Sequence, residues 1–185
     1  MILNVAMETM SQGEKKSLQS QKLQQLVERI YEKTNFYHEK IHALGLEPTD
    51  IKGIQDIDKL PFTTSIDLSS QYPFGLLTMP VSGVARFEQI PASRVASGFT
   101  SQDLAWQQEM IARSLLSCYI TITSALLYLP ESIPSISSRV LQQSAEMLGV
   151  TVIPEQTGDR KKQLETILDF GVTTLFSTPT MLLAF

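Results

Sequence analysis

The sequence predicts an α/β fold made of parallel-sheet βαβ units and preceded by a helical N-terminal region. Three apolar segments, at 120–129, 150–153 and 172–176, have the composition of buried strands and are separated by helical segments. This alternation of strand and helix is typical of βαβ units in a parallel sheet. Residues 1–80 lack the alternation. We therefore predict a helical arm or cap over 1–80 and a partial α/β subdomain over 81–185, packed as one globular unit.

The helical region begins with a long amphipathic pattern over residues 14–44. Apolar side chains recur there at spacings of three and four, which places them on one helical face. The inward residues predicted for the first helix are Leu23, Leu26, Val27, Ile30 and Tyr31. Asn35 interrupts the pattern and is predicted to cap a second helix, which stops at Gly45. We expect residues 1–13 to be frayed or weakly packed.

Residues 46–80 are predicted to form short helices and turns, because prolines interrupt them repeatedly. These prolines are Pro48, Pro61, Pro73 and Pro80. Thr64 or Ser65 is a suitable N-cap for a short helix in this region. That helix is predicted to end at Tyr72-Pro73, since the residue before a proline disfavours α geometry.

The remaining segments carry further start and stop signals. Residues 84–90 are predicted as a strand, and a capping box at 100–103 precedes a long helix. Gly149 and Gly171 are each predicted to end a helix. The helix before Gly171 starts at Asp159 and is predicted to turn Leu164, Ile167 and Leu168 inward. Thr178-Pro179 begins a last helix, in which threonine caps and proline takes the first helical position.

The composition excludes several classes of function. The chain has 185 residues, with 15 basic and 19 acidic side chains and a net charge of −4. No long run of either charge is present, so the sequence has no electrostatic footprint for nucleic acid. Neither a signal peptide nor an apolar segment long enough to span a bilayer is evident. A single cysteine suits a reducing compartment, and we expect the protein in the cytoplasm, with no membrane partner.

The residues with chemical potential are not arranged as a known type of site. His38 and His42 lie four residues apart, a spacing that can hold a metal on one helical face, but no third ligand is evident nearby. We interpret them as surface histidines. Cys118 lies in an apolar run and is interpreted as an inert core thiol. The serines lack a glycine elbow, and no CxxC, GxGxxG or Walker motif is present. We therefore assign no catalytic, cofactor-binding or metal-binding residue.

A set of motifs in fixed order links the chain to a known family. The most distinctive is Leu60-Pro61-Phe62-Thr63-Thr64-Ser65-Ile66-Asp67-Leu68, followed by Tyr72-Pro73-Phe74-Gly75. Shorter matches lie at 27–37, 104–115, 145–154, 169–171 and 177–180. Together they resemble the N-terminal part of phenylacetate-CoA ligases, which are members of the adenylate-forming superfamily.

The resemblance implies a fold and an activity. The fold is a large N-terminal body of α/β layers with a small mobile C-terminal lid, and this chain matches only the first part of the body. The activity joins ATP to an aryl acid and then passes the acyl group to coenzyme A. ATP, magnesium and coenzyme A are therefore expected as cofactors only if that activity survives in this chain.

The nucleotide loop of the family is not retained. The resemblance places a loop of serines, glycines and threonines between Arg86 and Gly98, where backbone N–H groups approach the phosphates closely. Residues 87–97 contain no glycine. Glu88 would oppose phosphate, and Arg94 alone does not form a cradle. We therefore expect an ordinary strand-turn connection here and no bound cofactor.

A second departure from the family lies at residues 130–138. The resemblance places a turn rich in glycine and aromatic residues beside the acyl site, before the helix that ends at Gly149. Here the glycines are absent and Pro130 and Pro134 are present. Proline fixes φ and removes a donor, so the backbone cannot follow the same path. We interpret this segment as a helix entry capped by Ser135.

These departures leave three functional hypotheses. The first is a non-catalytic homologue of the ligase N-terminal lobe that acts in interaction or regulation. The second is one component of a split aryl-CoA ligase that a partner chain completes, and the third is a truncated gene product without a dedicated function. Apolar residues at the C-terminus predict a homo-oligomer, or a partner protein that covers this surface.

Overall fold

The computed structural model describes residues 2–89, 93–129, 136–154 and 159–183. Contacts within the chain separate it into two compact units. We call Thr9–Ser101 the N-terminal unit, and Met1–Glu8 together with Gln102–Phe185 the α/β unit. The division predicted at residue 80 stays a prediction.

The helices and strands follow in chain order. In the described part of the chain, the α-helices are α1 (Val5–Glu8), α2 (Gln12–Lys33), α3 (Asn35–His42), α4 (Ser65–Ser70), α5 (Ser101–Ser117), α6 (Ile136–Met147), α7 (Arg160–Asp169) and α8 (Pro179–Leu183). The strands are β1 (Arg86–Gln89), β2 (Ala96–Phe99), β3 (Ala125–Tyr128), β4 (Thr151–Pro154) and β5 (Thr174–Phe176). Short 3-10 helices occupy Pro48–Asp50, Ile54–Lys59 and Val81–Gly83. No helix among these has both the length and the apolar composition needed to cross a membrane.

The N-terminal unit is built around the packing of α2 against α3. Val27, Ile41 and Ile51 form its buried centre, each 1% exposed. The predicted break between the two helices is confirmed, but the cap is Thr34 rather than Asn35, because the Thr34 side chain accepts from the Tyr37 amide. Leu26, predicted to face inward, is 42% exposed.

Residues 2–8 are tied to α5 and are not frayed, but they are weakly packed, as the alternative prediction has it, since Ile2, Leu3, Val5 and Met7 are all exposed. The Asn4 side-chain amide donates to Glu109 at 2.6 Å. The Glu8 carboxylate accepts from the Leu3 and Asn4 amides and pairs with Arg113 at 3.2 Å. The Asn4 amide and the Arg113 charge both lower the pKa of Glu8. Glu109 and Arg113 lie about a hundred residues away from Asn4 and Glu8 in sequence, so local pattern does not reveal these two contacts.

The α/β unit contains a three-stranded parallel sheet in the order β4-β3-β5, and the predicted parallel sheet is thereby confirmed. Leu126 in β3 is opposite Val152 in β4 and Thr174 in β5. Leu126 and Leu127 are consecutive in a strand, so they point to opposite faces of the sheet. Both are fully buried because β3 is the central strand and is covered on both faces. The strand is shorter than the apolar run that predicted it, since residues 121–124 form a turn.

Helices cover the sheet on both sides. Leu115 of α5 and Leu141 and Ala145 of α6 pack in one buried cluster with Leu126. The connections β3-α6-β4 and β4-α7-β5 cross the sheet in opposite directions. Since such crossovers are right-handed, α6 and α7 lie on opposite faces. Gly149 and Gly171 follow α6 and α7 with φ of 74° and 57°, which confirms both as helix stops.

Candidate functional site

An antiparallel hairpin stands where the resemblance places the nucleotide loop. Strands β1 and β2 pair from Arg86 opposite Phe99 to Gln89 opposite Ala96. The predicted strand at 84–90 is therefore present over Arg86–Gln89. Part of the predicted strand-turn connection, at residues 90–92, lies outside the described residues. The hairpin belongs to the N-terminal unit.

One face of the hairpin contacts aromatic side chains that follow the signature segment. The rings of Phe87 and Phe74 are 5.4 Å apart. The Gln89 side-chain amide donates to the Tyr72 hydroxyl at 3.2 Å. The Arg94 guanidinium lies over the Tyr72 ring, 5.4 Å from its centre, which is a cation–π geometry. The cation nearest the hairpin tip is thus engaged with an aromatic face.

The other face of the hairpin carries a buried carboxylate. Glu88 is 8% exposed, and its Oε1 lies 3.5 Å from the Arg86 guanidinium. Its Oε2 is buried and has no hydrogen-bond partner among the described residues. A buried carboxylate is stabilised only by positive charge and hydrogen-bond donors, and it repels phosphate. On this face the positive charge of Arg86 is thus neutralised by Glu88.

The one glycine of the two strands serves packing. A Cβ atom on Gly98 would lie 3.1 Å from Leu77 and 3.2 Å from both Phe87 and Val84. These distances are shorter than ordinary van der Waals contact. The missing side chain thus lets three neighbouring side chains close over the strand.

The signature segment itself is clamped to α3. The Thr64 side chain caps α4 and the Asp67 carboxylate accepts from the Thr64 amide at 2.8 Å, so Thr64 is confirmed as the N-cap. The Lys40 ammonium donates to Asp67 Oδ2 at 2.6 Å. Tyr37 and Thr63 share a hydrogen bond of 2.7 Å between their hydroxyls. The Lys40 hydrogen bond, followed by that from the Thr64 amide, lowers the pKa of Asp67 to about 2.

The structure places His38, His42 and Cys118 on the surface. The His38 and His42 rings stack with centres 6.3 Å apart, and His38 also contacts the Tyr31 ring at 4.3 Å. Within the ranges that the structure describes, no group of three or more His, Cys, Asp or Glu side chains is placed to hold a metal. Cys118 is exposed, so its interpretation as a core thiol is wrong. It follows the end of α5, where the chain turns through Tyr119 at φ 61°.

After the carboxyl end of β5, Thr178 caps α8, as the sequence predicts. Its hydroxyl accepts from the Met181 amide at 3.4 Å, and its carbonyl accepts from the Leu182 amide at 3.1 Å. The neighbouring Ser177 hydroxyl is buried without a hydrogen-bond partner in the described part of the chain. The predicted Ser135 cap and the departures at 130–135 lie outside the described residues.

Substitution of Gly98 tests the packing role of the hairpin glycine. We expect Gly98→Ala to lower the free energy of unfolding by about 1–3 kcal/mol, because three side chains must move to admit the new methyl group. Urea unfolding followed by circular dichroism measures this change. The matched control is Gly13→Ala in α2, where nothing lies within 4 Å of the added Cβ. The control should gain up to about 1 kcal/mol from helix propensity, and equal effects of the two substitutions would contradict the packing role.

The Lys40–Asp67 pair predicts a pH-dependent stability. The pKa of Asp67 is lowered from 3.8 to about 2 in the folded protein, so the pair stabilises the fold above pH 3.8 and loses this effect as the pH falls towards 2. Lys40→Met should therefore lower the Tm near neutral pH, and the difference from the parent protein should shrink below pH 3.8.

Differential scanning calorimetry across this pH range measures the difference. Lys33→Met is the control, because the Lys33 ammonium is exposed and 3.8 Å from Glu32. A Lys40→Met difference that stays constant with pH would count against the pair.

Known proteins resemble this chain both in sequence and in fold. No protein-family model matches the chain. It is 30% identical over 183 residues to a phenylacetate-coenzyme A ligase from Thermus thermophilus, a match that spans 97% of this chain and 41% of the relative. It is also 30% identical over 188 residues to the enzyme of the same name from Escherichia coli, across 93% of this chain and 40% of the relative.

Solved structures support the fold. The open conformation of 2-hydroxyisobutyryl-CoA ligase with 2-HIB-AMP and CoA matches with a TM-score of 0.79 at 20% identity, over 93% of this chain and 39% of the ligase. The thioesterification state of the same ligase matches with a TM-score of 0.79 at 21% identity. The chain spans about 40% of the length of the curated relatives it matches. The resemblance is confirmed: this chain is a homologue of the N-terminal part of phenylacetate-CoA ligases, with the fold of an adenylate-forming ligase.

Proposed function

We propose that this chain does not activate an acid with ATP on its own and that it acts as an interaction or regulatory homologue of the ligase N-terminal lobe. The observation that carries the proposal is the side-chain content of the β1–β2 hairpin. Its segment 87–97 has no glycine, and its strands place the Glu88 carboxylate in a buried position.

The backbone of the hairpin is a poor phosphate cradle. Several consecutive N–H groups must approach the phosphates of a nucleotide, and side chains beyond Cβ obstruct that approach. About half of the N–H groups of β1 and β2, those at alternate residues, point to the other strand and are used in the pairing. Gly98, which lies at the base of the hairpin, is surrounded by Leu77, Phe87 and Val84. The space that a side chain at Gly98 would occupy is therefore filled by other protein atoms.

The charges of the hairpin oppose a triphosphate as well. Arg94 would have to leave the Tyr72 ring to reach a phosphate, and Arg86 already neutralises Glu88. The second oxygen of Glu88 would repel any anion that came near it. A phosphate needs positive charge on this face, whereas the Glu88 carboxylate supplies negative charge and so favours a cation.

The retained scaffold supports a role that depends on shape. The clamp between α3 and α4 and the parallel sheet are both present, and the fold matches solved ligases with a TM-score of 0.79. A fold carries many functions, and the chemistry of its sites determines which one operates. We place the protein in the cytoplasm, where reducing conditions keep the exposed thiol of Cys118 free.

Isothermal titration with magnesium-ATP tests the proposal. We expect no binding in the micromolar range, because side chains beyond Cβ obstruct the backbone of segment 87–97 and Glu88 already neutralises the charge of Arg86. Glu88→Gln removes the opposing charge with little change of shape, and it should not restore binding because the backbone is unchanged. Arg94→Ala is the control for weak ion pairing. A micromolar dissociation constant for the parent chain, weakened by Arg94→Ala, would show that the proposal is wrong.

A second candidate function is one component of a split aryl-CoA ligase. The continuous match to about 40% of the length of two phenylacetate-coenzyme A ligases favours it. In that case a partner chain supplies the remaining adenylate-binding groups. The test mixes the purified chain with each product of the neighbouring genes and measures AMP formation from phenylacetate, ATP and coenzyme A. AMP formation that requires both chains would replace the first proposal, and its absence with every product would exclude the second.

A further inference from the structure

The outer surface of α7 exposes large apolar side chains in the α/β unit. Leu168 is 80% exposed and Leu164 is 48% exposed, so the prediction that both face inward is wrong. These leucines are four residues apart, so they lie next to each other on one side of the helix. Phe170, directly after the helix, is 64% exposed but lies on a different side of the helix from the two leucines. Clustered apolar side chains of this size on a surface mark a site of interaction.

The charges of α7 run against the dipole of the helix. Arg160, Lys161 and Lys162 occupy the first turn, and Asp169 is the last residue. A helix favours acidic groups at its N-terminus and basic groups at its C-terminus, so this distribution is unfavourable for an isolated helix. Asp159 caps the helix by accepting from the Lys161 amide at 2.9 Å. The cap offsets only part of the positive charge in the first turn.

Contacts within α7 use these charges weakly. Lys161 and Glu165 are 4.0 Å apart, with 86% and 57% of their side chains exposed. The lysine precedes the glutamate, which is the weaker orientation for such a pair on a helix. Exposed pairs of this kind contribute little to stability. Both side chains therefore remain available to an external partner.

We propose that α7 is a self-association surface whose occupant is the α7 helix of a second copy, in an antiparallel two-fold arrangement. A two-fold axis makes both copies present the same surface. Antiparallel helices bring the basic first turn of each copy beside the acidic last turn of the other. Leu164 and Leu168 of the two copies then meet at the centre and leave water.

The charge pattern selects this occupant over others. An antiparallel neighbour with the same sequence supplies negative charge at Arg160 and Lys161 and positive charge at Asp169, at both ends at once. A parallel neighbour would place like charges side by side and is disfavoured. A contact limited to one ten-residue helix is expected to be weak, so the dimer should dissociate within an accessible range of protein concentration. This inference does not depend on the proposed loss of ATP binding.

Sedimentation velocity over a series of concentrations tests the inference on the full chain. We expect a monomer–dimer equilibrium with a micromolar dissociation constant. Leu168→Lys should weaken the dimer by roughly tenfold or more, because it puts positive charge into the apolar centre. The matched control is Ile66→Lys, at an apolar residue of the N-terminal unit that is 78% exposed. The control should leave the equilibrium unchanged.

A charge exchange tests the antiparallel geometry separately. Lys161→Glu and Asp169→Lys should each weaken the dimer, since each sets like charges against each other across the contact. The double variant restores opposite charges and should recover most of the association. All four substituted positions are exposed in the chain, so circular dichroism should show folded variants. A parent chain that stays monomeric, an unaffected Leu168→Lys dimer, or a double variant no stronger than the singles would overturn the inference.

Discussion

The candidate site depends on the hydrogen bonds that the Asp67 carboxylate accepts. The carboxylate completes the cap of α4 through the Thr64 amide and accepts a hydrogen bond from Lys40 of α3. The signature segment is thereby attached to α3, and the chain leaves α4 towards Tyr72. Tyr72 in turn receives Gln89 and Arg94 from the hairpin. One carboxylate, kept ionised by its donors, thus supports a series of contacts from α3 to the hairpin.

The scaffold and the chemistry of the site are separable in this protein. The central strand β3 is covered on both faces, as the fully buried Leu126 and Leu127 require, and this burial stabilises the sheet whatever the hairpin contains. The hairpin keeps its strand pairing but carries Glu88 and a crowded Gly98 where a phosphate loop requires open backbone. The fold can therefore persist whichever groups the hairpin carries. This separation is the physical basis of the proposed interaction role.

The surface of α7 presents a different kind of constraint, in the other unit. Its leucines and charges do not stabilise the helix that carries them, since Leu168 lies in water and the basic first turn opposes the helix dipole. A contact that removes both unfavourable features at once has to supply apolar surface and reversed charge together. An antiparallel copy of the same helix would do so by symmetry, and this is the basis of the proposed self-association.

The alternation of strands and helices, the break after α2, an N-cap at Thr64 or Ser65 and the glycine stops at Gly149 and Gly171 all follow from the local sequence pattern. Each of these depends on residues within a few positions of one another, so periodicity and capping rules identify them. Only the tertiary structure decided that Cys118 is exposed, that Glu88 is buried, and that Asn4 is held by Glu109. The physical reason is that burial and long-range pairing are set by neighbours from distant parts of the chain, and a linear pattern does not name those neighbours.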